Sequence, residues 1–589
     1  MSLSVVKASE YEDNQFLVKT TTDSVEVFEG KYLNQINVDD YGLTGDGVVD
    51  DTTLMTTALT AAASSGAILK GGIGKTYLVS IITIPSGVKG FDFSESTILS
   101  SDGSTLGVIV VDSDVEDCFV KVNLNMAGGD YVGIYSNGAS YNYYLDSNIY
   151  GFINSATLNH YGILLGAGSN YNKISGNTIT GYDSPTQRGL LVDLLGEESA
   201  DGFGGFFDGA FADPITPCKY NIVTDNILIN GSYAINIIAS DHNIIQGNQC
   251  VNQSHRGVYI AAGSTYNIIN DNQFLSFGSS GVLLAYNAWH NKISCNVMRN
   301  VSGDPVGGEA GVSIQTGSSH NTVYDNIIDA GTNYGVYIAC DTNYNIVDAN
   351  KIKNYYSCAI AIENHWEDSP DAGALFSRPN YSAPPDGEAW SHMDVEGNVI
   401  INNVIDDPYP ARSGCAIYLA QLASTYKNTK QTINGNIIRG TIGSHFFLFE
   451  ETADYLDSLV AIGNTFDGII VGKINIPRDH NHFRVLENNE FINDYLEGKS
   501  DSFTAGDATP SVLGWGYYAC ANSAATDITD FDDATEGQEI KIRLDPNSTI
   551  KYGSALIRPK GNADVTGNSN NFVVFKSISG VWFEQYRSF

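Results

Sequence analysis

The chain has 589 residues and carries 31 Lys+Arg against 67 Asp+Glu, a formal net charge of −36. That balance excludes nucleic acid and anionic membrane surfaces as general partners, because phosphate recognition needs basic surface. Only 17% of residues are charged, while 54 are Asn, 60 Gly and 34 Tyr, a composition that favours β-structure with many turns over long helices.

Length alone suggests about four domains. No run of apolar residues is long enough for membrane insertion, and Met1–Lys7 opens without a signal-peptide core. Synthesis in the cytoplasm with export by another route is therefore expected. The eight cysteines (118, 218, 250, 295, 340, 358, 415 and 520) form no C-x-x-C pair. They read as reduced, buried small residues, and neither a metal nor a cofactor is expected.

In chain order, residues 1–35 read as a short attachment segment, or as a remnant foreign to the fold. Residues 36–90 follow with Ile36-Asn37-Val38-Asp39-Asp40-Tyr41-Gly42, Gly45-Asp46-Gly47-Val48-Val49-Asp50-Asp51-Thr52, a helical pattern over about 52–64, and Thr76-Tyr77-Leu78-Val79-Ser80. This stretch resembles the opening of the pectate-lyase-like right-handed parallel β-helix proteins, especially bacteriophage tailspikes and capsule depolymerases. The resemblance implies a helix covering the N-terminal end of a solenoid, with Asp50, Asp51 and Thr52 at its start. It also implies a homotrimer, an N-terminal link to a phage tail or baseplate, and a virion or extracellular location. Gly71-Gly72-Ile73-Gly74-Lys75-Thr76 imitates a phosphate loop, but the required first glycine is Leu69, so it reads as a turn.

The middle of the chain is repetitive. Asn-x-(Ile/Val)-x-x-Asn recurs at 172–177, 221–226, 243–248, 267–272, 291–296, 321–326 and 345–350, with degenerate copies ending at Asn398, Asn436, Asn464 and Asn489. A second element, Gly-(Val/Ile/Leu)-x-(Ile/Leu/Val), starts at Gly162, Gly189, Gly257, Gly281, Gly311 and Gly335. Coils of about 22–24 residues suit a parallel β-solenoid, an all-β fold in which no coil buries its apolar face alone. The last Asn of each motif is expected to take the left-handed turn and to bond along the column as a ladder. Just before the first Asn, Tyr141, Tyr171, Tyr220, His242, Tyr266, His290, His320 and Tyr344, with His392 joining them, read as one ring stack.

Two large inserts, near 194–219 and 364–392, and two small ones, 302–310 and 406–414, all border the Gly-V-x-I strands. Inserts in a regular solenoid mark a functional face, so this sheet is expected to floor a groove. Strand alternation puts Leu191, Asn236, Tyr259, Leu283, Ser313, Tyr337 and Tyr418 in one outward column. It puts Asp193, Gln315, Glu363, Ala420 and Glu450 in the next. Tyr, Asn, Gln and Ser on such a floor suit a glycan, here a bacterial surface polysaccharide. Candidate contacts are Tyr259, Tyr337, Gln315, Asn236, Trp366, His365, Tyr418 and Arg256.

Glycoside hydrolysis needs two carboxyl groups, about 6.5–9.5 Å apart for inversion. Glu363 and Glu450 are two coils apart, roughly 10 Å; Glu367 and Asp368 are alternative partners for Glu363. Asp193, with Glu197, Glu198 or Asp201, forms a rival centre. A lyase would instead use a cation and a base, drawn from Arg188, His255, Arg256, Tyr259, His365 and Arg378, with Arg188 and Arg256 in equivalent positions. A non-catalytic adhesin is the third reading. Residues 36–500 thus read as the solenoid and 501–589 as a small β-module for trimer support or sugar binding. Light scattering is expected to return about three times the 63.4 kDa chain mass; a monomer in dilute solution would contradict the trimer.

Overall fold

The structure, a computed structural model, describes residues 34–587 apart from internal stretches, of which the longest are 197–215, 300–309 and 364–394. The coils form a right-handed parallel β-helix. Two walls are made of three-residue strands such as Lys173–Ser175 and Thr178–Thr180, stacked in parallel register within one 30-stranded sheet. The third wall is a 14-stranded parallel sheet running from Ile82–Ile84 to Ile470–Asn475. It holds the Gly-V-x-I strands.

Three apolar columns fill the interior, because each wall turns one alternation face inward. Ile174, Val223, Ile245, Ile269, Ile293, Val323 and Val347 form one; Ile179, Leu228, Cys250, Phe274, Met298, Ile328 and Ile352 form the second. The third wall adds pairs such as Val258 and Ile260. The signature glycine of third-wall strands such as Arg256–Ala261 also faces in. A Cβ on Gly257 would lie 2.3 Å from the Phe274 ring and 2.5 Å from the carbonyl oxygen of Gly281. The signature glycine is thus set by close approach of the next coil, not by an unusual torsion.

Both Asn positions of the motif are ladders. The first runs Asn142, Asn172, Asn221, Asn243, Asn267, Asn291, Asn321, Asn345 and Asn398, ending on Gln431. The second runs from Asn177 through Asn226, Asn248, Asn272, Asn296, Asn326, Asn350, Asn403 and Asn436 to Asn464. Each side chain works in both directions. Asn272 Oδ1 accepts from the Asn248 backbone N–H (3.0 Å) and from Asn248 Nδ2 (2.9 Å) of the preceding coil, while Asn272 Nδ2 donates to the Ile245 carbonyl (2.9 Å) of that coil and to Asn296 Oδ1 (3.0 Å) of the next.

The left-handed torsion expected at the last Asn belongs instead to the residue before it: Gly176, Asp225, Gly247, Asp271, Cys295, Asp325 and Ala349 all have positive φ. That residue turns the corner, which leaves the Asn side chain free to point inward. The same holds at the first corner. The Tyr and His residues of the ring stack have φ of 57–61°, and their rings follow one another at 4.8–5.2 Å. His392 lies outside the described residues, and the register puts Gly397 in the slot after Tyr344.

The predicted helix spans Thr52–Ser65 and buries Met55, Ala58, Leu59 and Ala62. Asp50 caps it by accepting from the Thr52 N–H (2.9 Å). Asp51 does not cap; buried, it accepts from the N–H groups of Thr44 (2.8 Å) and Gly45 (3.1 Å). The acidic cluster is structural here. No described helix is long and apolar enough to cross a membrane. The C-terminal strands, among them Glu539–Arg543, Phe572–Ile578 and Val581–Arg587, pair antiparallel around a separate core that includes Phe503, Phe531, Phe575 and Trp582. Residues 1–33 of the expected attachment segment 1–35 lie outside the described residues.

Replacing Asn272 by Ala leaves the Asn248 backbone N–H without its acceptor and takes one partner each from the Ile245 carbonyl and from Asn248 Nδ2, which keeps the Val223 and Gln246 carbonyls. At ~1–3 kcal/mol per buried unpaired group, the loss is about 1–3 kcal/mol. Chemical denaturation of Asn272→Ala is expected to show it, whereas exposed Gln249→Ala should stay within about 0.5 kcal/mol.

Candidate functional site

The outer face of the third wall carries three columns rather than two. Alternation breaks at the signature glycine, since both Gly257 and Val258 face inward. The residue before the glycine therefore also faces out. This first column runs Tyr161, Leu190, Tyr233, Arg256, Ser280, Ala310, Tyr334, Cys358 and Cys415. Reading outward positions only after the glycine misses it, and with it Tyr233 and Tyr334. The residue just before each glycine was the available signal.

Glu363 lies at the end of the strand Cys358–Glu363, 6% exposed. Its Oε2 accepts from the Tyr337 hydroxyl at 2.9 Å and its Oε1 from the Tyr334 hydroxyl at 3.3 Å. The two rings are stacked, 4.8 Å apart at 13°. Burial and the Glu363 charge push the Tyr334 hydroxyl well above its ordinary range, so it stays a donor. Hydroxyls donating to both oxygens favour the ionised carboxylate. In register, Glu363 faces Ala339 on one side and Ala420 on the other, and Ala420 faces Glu450. The predicted column thus holds across these coils, with small residues beside Glu363.

Asp193 does not stand in that column. The strand Gly189–Leu195 is offset by two residues from the motif alignment: Gly189 pairs with His160, and Leu191 takes the place of the signature glycine. Leu191 consequently faces the core, and Asp193 faces Leu164 and Asn236 in the middle column. The same offset puts Leu190, not Arg188, in the Arg256 column. Asp193 is 3% and Asn236 6% exposed, and among the described residues Oδ1 of each has no hydrogen-bond partner. Burial lifts the Asp193 carboxyl to about 7, opposed in part by the neighbouring Asn236 amide.

Arg256 sits two coils on. Its guanidinium lies 4.8 Å from the Tyr259 ring centre and 5.4 Å from that of Tyr233, and it donates to the Tyr233 hydroxyl at 3.0 Å. The His255 ring stacks on Tyr233 at 5.8 Å. Gln315 donates to the Ser313 hydroxyl at 2.7 Å.

The expected open floor is largely covered. Asp193, Asn236, Tyr259, Leu283, Ser313, Gln315 and Glu363 are buried, whereas Arg256, Tyr337 and Tyr418 are half-buried. A second apolar layer, including Tyr161, Leu164, Tyr233, Ile238 and Tyr259, lies on this outer face. His365, Trp366, Glu367, Asp368 and Arg378 lie outside the described residues, as do Arg188, Glu197, Glu198 and Asp201. Among the described residues no group of three His, Cys, Asp or Glu is placed to hold a metal ion.

A family described as "Periplasmic copper-binding protein (NosD)" matches residues 215–305, less than a fifth of the chain. No curated protein matches by sequence. Solved structures with a similar fold include the A-module of the mannuronan C-5 epimerase AlgE4 of Azotobacter vinelandii, at 14% identity over 77% of this chain and 100% of that one, TM-score 0.41. The Dettilon tailspike protein is similar at 12% identity over 72% and 70%, TM-score 0.42. PfbA, a surface adhesin of Streptococcus pneumoniae, is similar at 17% identity over 78% and 93%, TM-score 0.39. At these identities the likeness is one of fold.

Asp193 yields a pH prediction. A carboxyl raised from 3.8 to about 7 keeps its proton in the folded chain while the unfolded chain has lost it. Its contribution to stability is therefore highest near pH 4 and falls as pH rises to about 7, by on the order of 4 kcal/mol. Asp193→Asn is expected to flatten that part of the stability-versus-pH curve measured by denaturation; an unchanged slope would contradict the buried proton.

Proposed function

We propose that the protein is a depolymerase that binds and cleaves a bacterial surface polysaccharide by glycoside hydrolysis on the outer face of the third wall. The observation that carries this reading is Glu363, held at both oxygens by Tyr334 and Tyr337 and in register, across Ala420, with Glu450. Two coils correspond to about 10 Å between Cα positions, close to the spacing of inverting pairs. Glu363, kept ionised by its hydroxyl partners, is the base: it takes a proton from a water that attacks the anomeric carbon. Glu450 is the acid and protonates the departing glycosidic oxygen, so one proton enters and one leaves. Ala339, Ala361 and Ala420 leave room beside Glu363, and the half-buried Tyr337 and Tyr418 offer ring surface to a sugar. The low density of basic groups favours a neutral or weakly charged glycan. A homotrimer on a phage tail, acting outside the cell, fits this activity and the opening motif, with residues 501–589 as a support module.

A second reading has its own observation. Arg256, Tyr233, Tyr259 and His255 lie within one cluster. This brings together a cation that would neutralise a uronate carboxylate and bases that would take the adjacent proton in a β-elimination.

A panel of bacterial surface polysaccharides separates the two. Hydrolysis yields new reducing ends without ultraviolet absorbance; elimination yields a conjugated double bond that absorbs. Glu363→Gln is expected to lower the hydrolytic rate about a thousandfold with folding and glycan binding retained, and full activity in that variant would overturn the assignment. Loss of an ultraviolet-absorbing product on Arg256→Ala would favour elimination, and binding with neither product would favour the adhesin.

A further inference from the structure

Cys358 and Cys415 are 57 positions apart in sequence, yet the fold makes them direct register partners on neighbouring parallel strands. Of the seven cysteines described, these two alone are paired in this way. Both are buried, and neither belongs to the solenoid core, whereas their neighbours Ala359, Ile360, Ala416 and Ile417 do. Both thiols therefore face outward, in the column that contains Tyr334.

Neighbouring strands stand about 4.8 Å apart, inside the Cα range of about 4.4–6.8 Å that a disulfide spans. Parallel register also aims the two Cβ atoms the same way, which a bridge requires. We infer that Cys358 and Cys415 are a redox pair that closes into an inter-coil disulfide when the protein meets an oxidising environment.

The chemistry is thiol–disulfide exchange with a soluble low-molecular-weight disulfide. One cysteine thiolate attacks that disulfide, forming a mixed disulfide and releasing one small thiol. The second cysteine thiolate then displaces the other small thiol. The pair gives up two electrons and two protons in total, and the soluble disulfide becomes two thiols. Side chains at coil spacing must draw together by about 1 Å to reach bonding distance, so the bridge is expected to be readily reduced.

Position gives the bridge its consequence. Glu363 ends the strand that Cys358 begins, and Ala420 holds the matching place after Cys415. The bridge would fix these two coils to each other at the start of their third-wall strands, at the opposite end from Glu363. The inference rests on register and facing, and it holds whether or not Glu363 is catalytic.

The test uses the full-length chain in two arms, folded protein incubated with glutathione disulfide and protein refolded in its presence. Both are then unfolded, alkylated and digested without reduction. Mass spectrometry is expected to find a linked peptide pair carrying Cys358 and Cys415. The pair should be lost on adding dithiothreitol and absent from Cys358→Ser and Cys415→Ser. Oxidation should raise the thermal midpoint of the unsubstituted chain by about 2–4 °C and leave the double variant unmoved. Full alkylation of both cysteines in both arms, or equal linkage of either to another cysteine, would overturn the inference.

Discussion

The spacing of the coils is the constraint on which everything else depends, and the Asn ladders hold it. Each interior corner must bury backbone groups that no strand partner can reach. An amide is the side chain that both donates and accepts, so one Asn per corner accepts from the coil on one side and donates to the other. Hydrophobic columns alone would not set this distance, because apolar packing is non-directional. The backbone hydrogen bonds of the parallel strands set it, and hydrogen bonds of 2.8–3.0 Å between the backbone N–H and Oδ1 of successive ladder residues carry it through the corners.

Once the repeat distance is fixed, side chains line up whether or not their chemistry requires it. Rings that share a corner stack, thiols that share a column meet, and carboxylates in one column are spaced in multiples of one step. The corner itself demands a left-handed residue. Tyrosine is a poor choice for that torsion, which histidine adopts more readily. Their repeated use is explained by stacking, since each ring covers a face of the next and rings along a column contribute beyond their area. Three histidines, His242, His290 and His320, therefore belong to the architecture.

The outer face of the third wall treats its acids in opposite ways. Asp193 and Glu363 are almost equally buried. Glu363 receives a hydroxyl at each oxygen, and its charge is supported. Asp193 has an unpartnered oxygen beside an unpartnered amide oxygen, and burial keeps its proton on. Two carboxyl groups of similar exposure thus differ in the donors that face them.

The sequence by itself determined the architecture. The period, the Ile and Val columns and the two Asn positions specify a stacked parallel solenoid, because those features repeat once per coil and report contacts between equivalent positions. The opening motif and its capping helix were equally legible, as was the column shared by Glu363 and Glu450. What only the tertiary structure decided is register and burial. The strand Gly189–Leu195 slips by two residues against its motif, which moves Asp193 next to Asn236 and takes Arg188 out of the Arg256 column. The inward bend at the signature glycine turns Tyr334, Arg256 and Cys358 outward, where strict alternation would not place them. The pairing of Cys358 with Cys415 and the burial of the expected open floor follow from long-range contacts. A repeat motif shows what each coil shares; it carries no information about a local slip between coils, or about how the outer side chains pack on one another.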